Sequence, residues 1–399
     1  MLPCPIRNRT FHQANTLQKI IMANQTTAAG TSSSDDQPGW NRLWGLLPPP
    51  KPRVGTEDIA IFTRQLSTMI SAGIPLMESL DVLAQQQEDP GFERVLNEIV
   101  DEVRSGEDFS TALSNYPNQF TKIYVSMAEA GEASGNLDTV LTRLAEYMES
   151  AEQLKREIKS AMTYPVISLF LIVGIAMGLM VFIVPKFKKI FESIGGGMDL
   201  PAITQFTLAV SMFLQTNFWY VVIGAIALYG IWYFYTGTDI GEWHWHWFLL
   251  KVPIFGSLFR KVAIARFAQT YATLIRSGVP ILGALEITAE TSGNRVIEDA
   301  VLESREEVRQ GEHLGPPLEE TGVFPIMVTK MIEIGEEAGA LEELLEKISE
   351  FYNQQVEATV NQLTSLIEPI LISFMGIIVG GIVLAIFLPI LNIQSAVQS

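Results

Sequence analysis

Few side chains in this 399-residue chain could do chemistry. His12, His244, His246 and His313 are its whole imidazole supply, and Cys4 is its one thiol. A single cysteine excludes an internal disulfide and a cysteine-based zinc site. A nucleotide motor needs a glycine-rich loop closing on Gly-Lys-Ser/Thr, whose backbone amides cradle phosphate. No Gly-Lys dipeptide occurs here, and no Gly-x-Ser-x-Gly nucleophile elbow. Two clusters remain. Trp243-His244-Trp245-His246-Trp247 would offer alternate imidazoles to a metal on an extended segment, but an interfacial aromatic cluster is the simpler reading. Glu129, Glu132 and Asp138 could supply oxygens to a divalent cation. Their neighbours Gly131 and Gly135 point first to a tight turn between helices, with Glu132 an ordinary capping or solvated acid. Nothing fills the nucleophile and base roles of an enzyme, so no catalysis, cofactor or metal is expected.

The elements that must position these groups belong to a membrane protein. Charged residues make up 18% of the chain, against about 25% in ordinary soluble domains. Mean hydropathy is +0.24. The deficit falls in three uncharged runs, at 165–184, 218–235 and 369–391. About 20 helical residues cross a hydrocarbon core, so each run predicts a transmembrane helix. Trp219 and Tyr220 at one end of the middle run, and Trp232, Tyr233 and Tyr235 at the other, suit the two interfaces. Gly174 with Gly178, and Gly376 with Gly380, suggest close helix–helix approach. A net charge of −17 without a basic stripe argues against nucleic acid. Residues 1–55 read as a disordered N-terminal arm, polar at 26–36 and proline-rich at 48–52. That arm has no continuous apolar run of the kind a secretory signal needs.

The strongest signal is an internal repeat. Phe62, Gly73 and Pro75 recur as Phe267, Gly278 and Pro280, an offset of 205. Glu129, Gly131, Glu132 and Gly135 recur as Glu333, Gly335, Glu336 and Gly339, an offset of 204, as do Pro165 and Pro185 in Pro369 and Pro389. The repeated unit is therefore a module followed by a span. Two like modules belong on one side of the membrane, and the unrepeated middle span returns the chain between them. The expected order is a first module at 56–164, a span, a non-cytoplasmic loop at 185–217, the second span, a second module at 236–368, the third span, and a non-cytoplasmic tail at 392–399. Both modules are expected in the cytoplasm, because no signal leads the first one.

Each module reads as all-α. Phe62, Leu66, Met69 and Ile70 recur at helical spacing, Gly73 ends that helix and Pro75 starts the next. Further breaks at residues 89–91 and 105–108 give a bundle of about six helices. The last helix opens at Leu137 and runs on into the first span. The expected fold is two homologous cytoplasmic helical-bundle modules plus three transmembrane helices.

With these motifs in order and doubled, the chain resembles the inner-membrane platform proteins of type IV pilus and type II secretion machines over residues 57–394. The carriers are residues 62–76, residues 129–137, Tyr164-Pro165, their second copies, and Glu368-Pro369. The resemblance implies a multi-pass protein of the bacterial inner membrane without catalysis or cofactor. Its partners would be a hexameric assembly ATPase, pilin or pseudopilin subunits, other inner-membrane assembly proteins, membrane lipid and further copies of itself. It would couple the ATPase to pilin extraction and polymerisation, in a pilus machine first and in type II secretion as the alternative. Arg64, Gln65, Glu129, Glu132, Arg276, Glu333 and Glu336 are the expected partner contacts. Gly73, Pro75, Gly131, Gly278, Pro280 and Gly335 are assigned to the fold. A secondary transporter fits less well, because transporter repeats are mostly membrane-embedded.

Overall fold

The computed structural model describes residues 54–194, 201–253 and 255–398, and no strand occurs among the described residues. The expected arm lies outside them, apart from Val54 and Gly55. The first module holds α1 (Thr56–Ser71), α2 (Leu76–Gln85), α3 (Pro90–Arg104), α4 (Phe109–Ser114), α5 (Lys122–Ser134) and the start of α6 (Leu137–Gly178). A π-helical turn (Leu179–Ile183) leads into α7 (Val184–Ile194). Then come α8 (Ala202–Thr216), α9 (Phe218–Thr236) and α10 (Asp239–Lys251). The second module holds α11 (Phe255–Arg276), α12 (Ile281–Thr291), α13 (Arg295–Arg309), α14 (Gly315–Glu320), α15 (Ile326–Ala338) and the start of α16 (Leu341–Gln398).

The repeat is visible in local chemistry. The Asp89 carboxylate accepts from the Gly91 and Phe92 amides at the start of α3, and Asn294 caps Val296 and Ile297 in the same way at α13. Gly73 and Gly278 take φ of 84° and 86°. There each closes a helix through paired bonds, Gly73 N to Ile70 O with Ile74 N to Met69 O, and Gly278 N to Ile275 O with Val279 N to Leu274 O. Pro75 and Pro280 then sit at the N-caps of α2 and α12. Phe62 packs edge-on to Phe120, and its counterpart Phe267 packs edge-on to Phe324. One contiguous apolar core runs through both modules, from Ile59 to Tyr352.

Three helical stretches are long and apolar enough to cross a membrane: Leu137–Phe191, Phe218–Thr236 and Leu341–Leu391. Their apolar side chains face outward, with Phe170, Phe234 and Ile377 each more than 70% exposed. Hydrocarbon, not water, suits such a surface. The glycine pairs do not join these helices, since a Cβ at Gly174, Gly178, Gly376 or Gly380 would meet nothing.

What joins the first and third spans is α8, inside the segment expected to be a loop. Its buried face is polar, made of Thr204, Thr207 and Ser211 with Leu208, while Phe206 and Phe213 point outward. The reason lies in two prolines. Pro185 lacks an N–H, so the carbonyls four and five residues before it, Val181 and Met180, lose their helical donor. Ser211 Oγ donates to Met180 O at 2.6 Å, and Gln215 Nε2 to Val181 O at 2.8 Å. Pro389 orphans Ala385 O in the third span, and Thr204 Oγ1 donates to it at 2.7 Å. The same helix thus satisfies carbonyls at equivalent positions of the two repeats, where hydrocarbon offers no water to do so.

Candidate functional site

The residues expected to contact partners fall in three places. Arg64 and Gln65 line a groove of about 530 Å³ between α1 and α6, with Glu57, Ile61, Glu149, Glu152 and Arg156. Arg64 grips Glu149 through two bonds, Nε to Oε1 at 2.6 Å and Nη2 to Oε2 at 2.5 Å. The Arg64 bond holds the Glu149 carboxyl below the usual range. Gln65 is exposed.

Arg276 lies elsewhere, in a cleft of about 490 Å³ where α6 meets α11 and α16. Its carbonyl accepts from the Arg143 guanidinium, and its own guanidinium lies 3.6 Å from Glu346. Tyr147 and Thr270 share a hydroxyl bond of 3.2 Å across the same seam, and Lys122 pairs with Glu290 at 2.6 Å.

The glutamate blocks on α5 and α15 divide by role. Glu132 accepts from the Phe109 and Ser110 amides at 2.6 and 2.9 Å, capping α4 from a neighbouring helix. Glu336 accepts from Leu314 N at 2.8 Å, at the start of α14. Burial pushes the Glu336 carboxyl up against the opposing effect of those amides and of His313. Both carboxylates cap a neighbouring helix, the ordinary capping role that the glycine block suggests first for Glu132. Gly131 and Gly335 explain the rest of the motif. A Cβ at Gly131 would come within 3.1 Å of Val140, and one at Gly335 within 3.0 Å of the Leu341 backbone. The glycines let α5 and α15 close on the long helices. Glu129 is left exposed, and the partly exposed Glu333 pairs with Lys330 at 2.8 Å.

The Trp/His segment is helix α10, not extended chain. His244 Nδ1 lies 2.7 Å from its own helix's Ile240 O, while His246 Nδ1 accepts from Arg295 N at 3.1 Å, at the start of α13. The two imidazoles therefore serve different neighbours. Trp245 packs edge-on to Trp232 of α9, and Lys251 sits 3.8 Å above the Trp247 ring. The cluster is an elbow tying the middle span to the second module. Among the described residues no three His, Cys, Asp or Glu side chains group to hold a metal ion.

Two all-α modules, each delivering one long helix to an apolar span, define a polytopic helical membrane protein. The family model for type II secretion system protein F matches residues 62–185 and again 267–389, the same two repeats. This chain belongs to that family. It is 42% identical over 342 residues to the type IV pilus assembly protein PilC of Myxococcus xanthus, covering 86% of this chain and 82% of that protein. It is 42% identical to the PilC of Thermus thermophilus, with 85% and 83% covered. Similarity to type II secretion system protein F of Vibrio cholerae is 36% identity, with 86% and 84% covered.

Proposed function

We propose that this protein is the inner-membrane platform of a type IV pilus assembly machine. Both modules face the cytoplasm, receive motion from a hexameric assembly ATPase, and pass it along α6 and α16 to the membrane. There the spans present a lateral face to pilin helices for extraction and polymerisation, alongside other inner-membrane assembly proteins and further copies of the chain. No step needs chemistry from this protein itself. The observation that carries the reading is the pair of long helices, each rooted in a module core and ending in a span without a break. A rigid helix transmits displacement where a flexible linker would absorb it. The exposed Glu129 and the partly exposed Glu333 are the proposed contacts with the ATPase.

The 42% identity to two pilus assembly proteins, against 36% to a secretion system protein F, supports the pilus machine over a type II secretion system. A clean deletion strain tests it, imaged for surface filaments and assayed for exported proteins. Loss of pili with export intact is expected. Loss of specific exported proteins with pili intact moves the chain to type II secretion.

A further inference from the structure

The repeat fills one groove inside the chain and, among the described residues, leaves its counterpart open. In the second module, α11 and α16 form a groove that receives α6 of the first. Tyr147 meets Thr270 there, and Leu154, Ile158 and Ala161 pack on Leu258, Val262, Val356 and Val360. Shifted back by the repeat offsets, Val262, Thr270, Val356 and Val360 become Glu57, Gln65, Glu152 and Arg156. Those four line the open groove between α1 and α6. One hydrogen bond even survives with its ends exchanged. Lys155 Nζ donates to Thr56 Oγ1 at 2.7 Å beside the open groove, and Lys261 Nζ donates to Thr359 Oγ1 at 2.9 Å beside the filled one.

The filling ridge has a counterpart too. Tyr147, Leu154, Ile158 and Ala161 of α6 correspond to Phe351, Ala358, Gln362 and Ser365 of α16, and all four of these are exposed. Among the described residues there are therefore one filled groove, one open groove, and one ridge with no groove to enter.

We propose that the α1/α6 groove of one copy receives the α16 ridge of a second copy, head to tail, as α6 already sits against α11 and α16. Two observations favour this occupant. Ile61 beside the open groove and Phe351 on the free ridge are both large, apolar and exposed, 52% and 43%, so each surface offers the other an apolar anchor. Also, α6 and α16 both run from module to span, so repeating the relation keeps every copy the same way up in one membrane. Such a heterologous contact closes into a ring or continues as an open array.

Cysteine pairing tests the contact. Cys4 is the only cysteine, so Cys4→Ser gives a thiol-free full-length chain. Two differently tagged copies, one with Ile61→Cys and one with Phe351→Cys, are expressed together in membranes of a host without pilus or secretion genes. A short bismaleimide should yield a band of twice the 44.2 kDa chain mass bearing both tags. That band should exceed the yield from either variant alone by about ten-fold, and one chain with both substitutions should give a ladder. Equal linking between two Ile61→Cys copies overturns the head-to-tail contact, as does absence of the two-tag band. A link from Ile61→Cys to a different protein assigns the groove elsewhere and overturns it as well. Neither ATPase nor pilin is present, so failure here leaves the platform reading standing.

Discussion

At the scale of single residues, the doubled glutamates show how a charged side chain can be structural. Glu336 is held near the α14 amides yet is half-buried, and burial raises its pKa. A carboxyl raised in the folded state binds its proton more tightly there than in the unfolded chain. Stability therefore falls as pH rises from the ordinary carboxylate value through the raised one. Glu336→Gln keeps an acceptor oxygen and should remove that slope. Glu336→Ala abandons the Leu314 amide and should cost about 1 kcal/mol, the usual worth of a lost cap. Thermal melts of the purified protein at several pH values separate the two; identical slopes for wild type and Glu336→Gln would refute the argument. Tyr271 offers the opposite case. Its hydroxyl is buried without a hydrogen-bond partner among the described residues, a state that costs about 1–3 kcal/mol. Tyr271→Phe should therefore raise the melting temperature, and a lowered one would mean that the hydroxyl is satisfied.

At the scale of elements, α8 is the piece that the chain's hydropathy conceals. Its prediction is a coupling between residues far apart in sequence. Thr204→Val leaves the Ala385 carbonyl orphaned in hydrocarbon and should cost about 1–3 kcal/mol. With Pro389→Ala the helix regains an N–H that can reach Ala385 O, and the same Thr204→Val change should then cost much less. Stability in detergent or nanodiscs, measured over the four-protein cycle, gives the coupling directly. Additive effects would show that the threonine hydroxyl does not serve that carbonyl. The signals were present in the sequence, as the recurrence of Pro185 in Pro389 and the Thr204, Thr207, Ser211 stripe in an uncharged stretch. Reading them requires knowing which carbonyls α8 lies against, and sequence spacing does not contain that. For α10 the sequence favoured an interfacial aromatic cluster but did not show that His246 would meet the start of α13, which again depends on long-range packing.

For the whole molecule, the shared core has a consequence. Because apolar contact is continuous from Ile59 to Tyr352, the two modules should lose structure together. Hydrogen exchange on the full chain should show α3 and α13 with similar protection. Separate protection levels would mean that the seam around Tyr147 and Thr270 is weak. The functional reading makes its own prediction at this scale. Glu129→Lys combined with Glu333→Lys should abolish filament assembly while the protein stays in the membrane at normal level. Normal filaments in that variant would remove these acids as ATPase contacts.

The sequence by itself determined the class, the repeat, the all-α modules and the positions of the three apolar helices. Those follow from local chemistry: helical periodicity, glycine and proline at helix ends, and uncharged runs of membrane length. It also singled out Gly131 and Gly335, where a Cβ would come within 3.1 Å of Val140 and 3.0 Å of the Leu341 backbone. Only the tertiary structure decided which partners the charged residues take within the chain. Glu132 and Glu336 turned inward to helix amides, Arg64 closed on Glu149, and Arg276 joined the seam between modules. A charge near a glycine turn suits a surface contact and a cap equally well. The choice depends on which helix N-terminus arrives beside it, and that is settled by long-range packing alone.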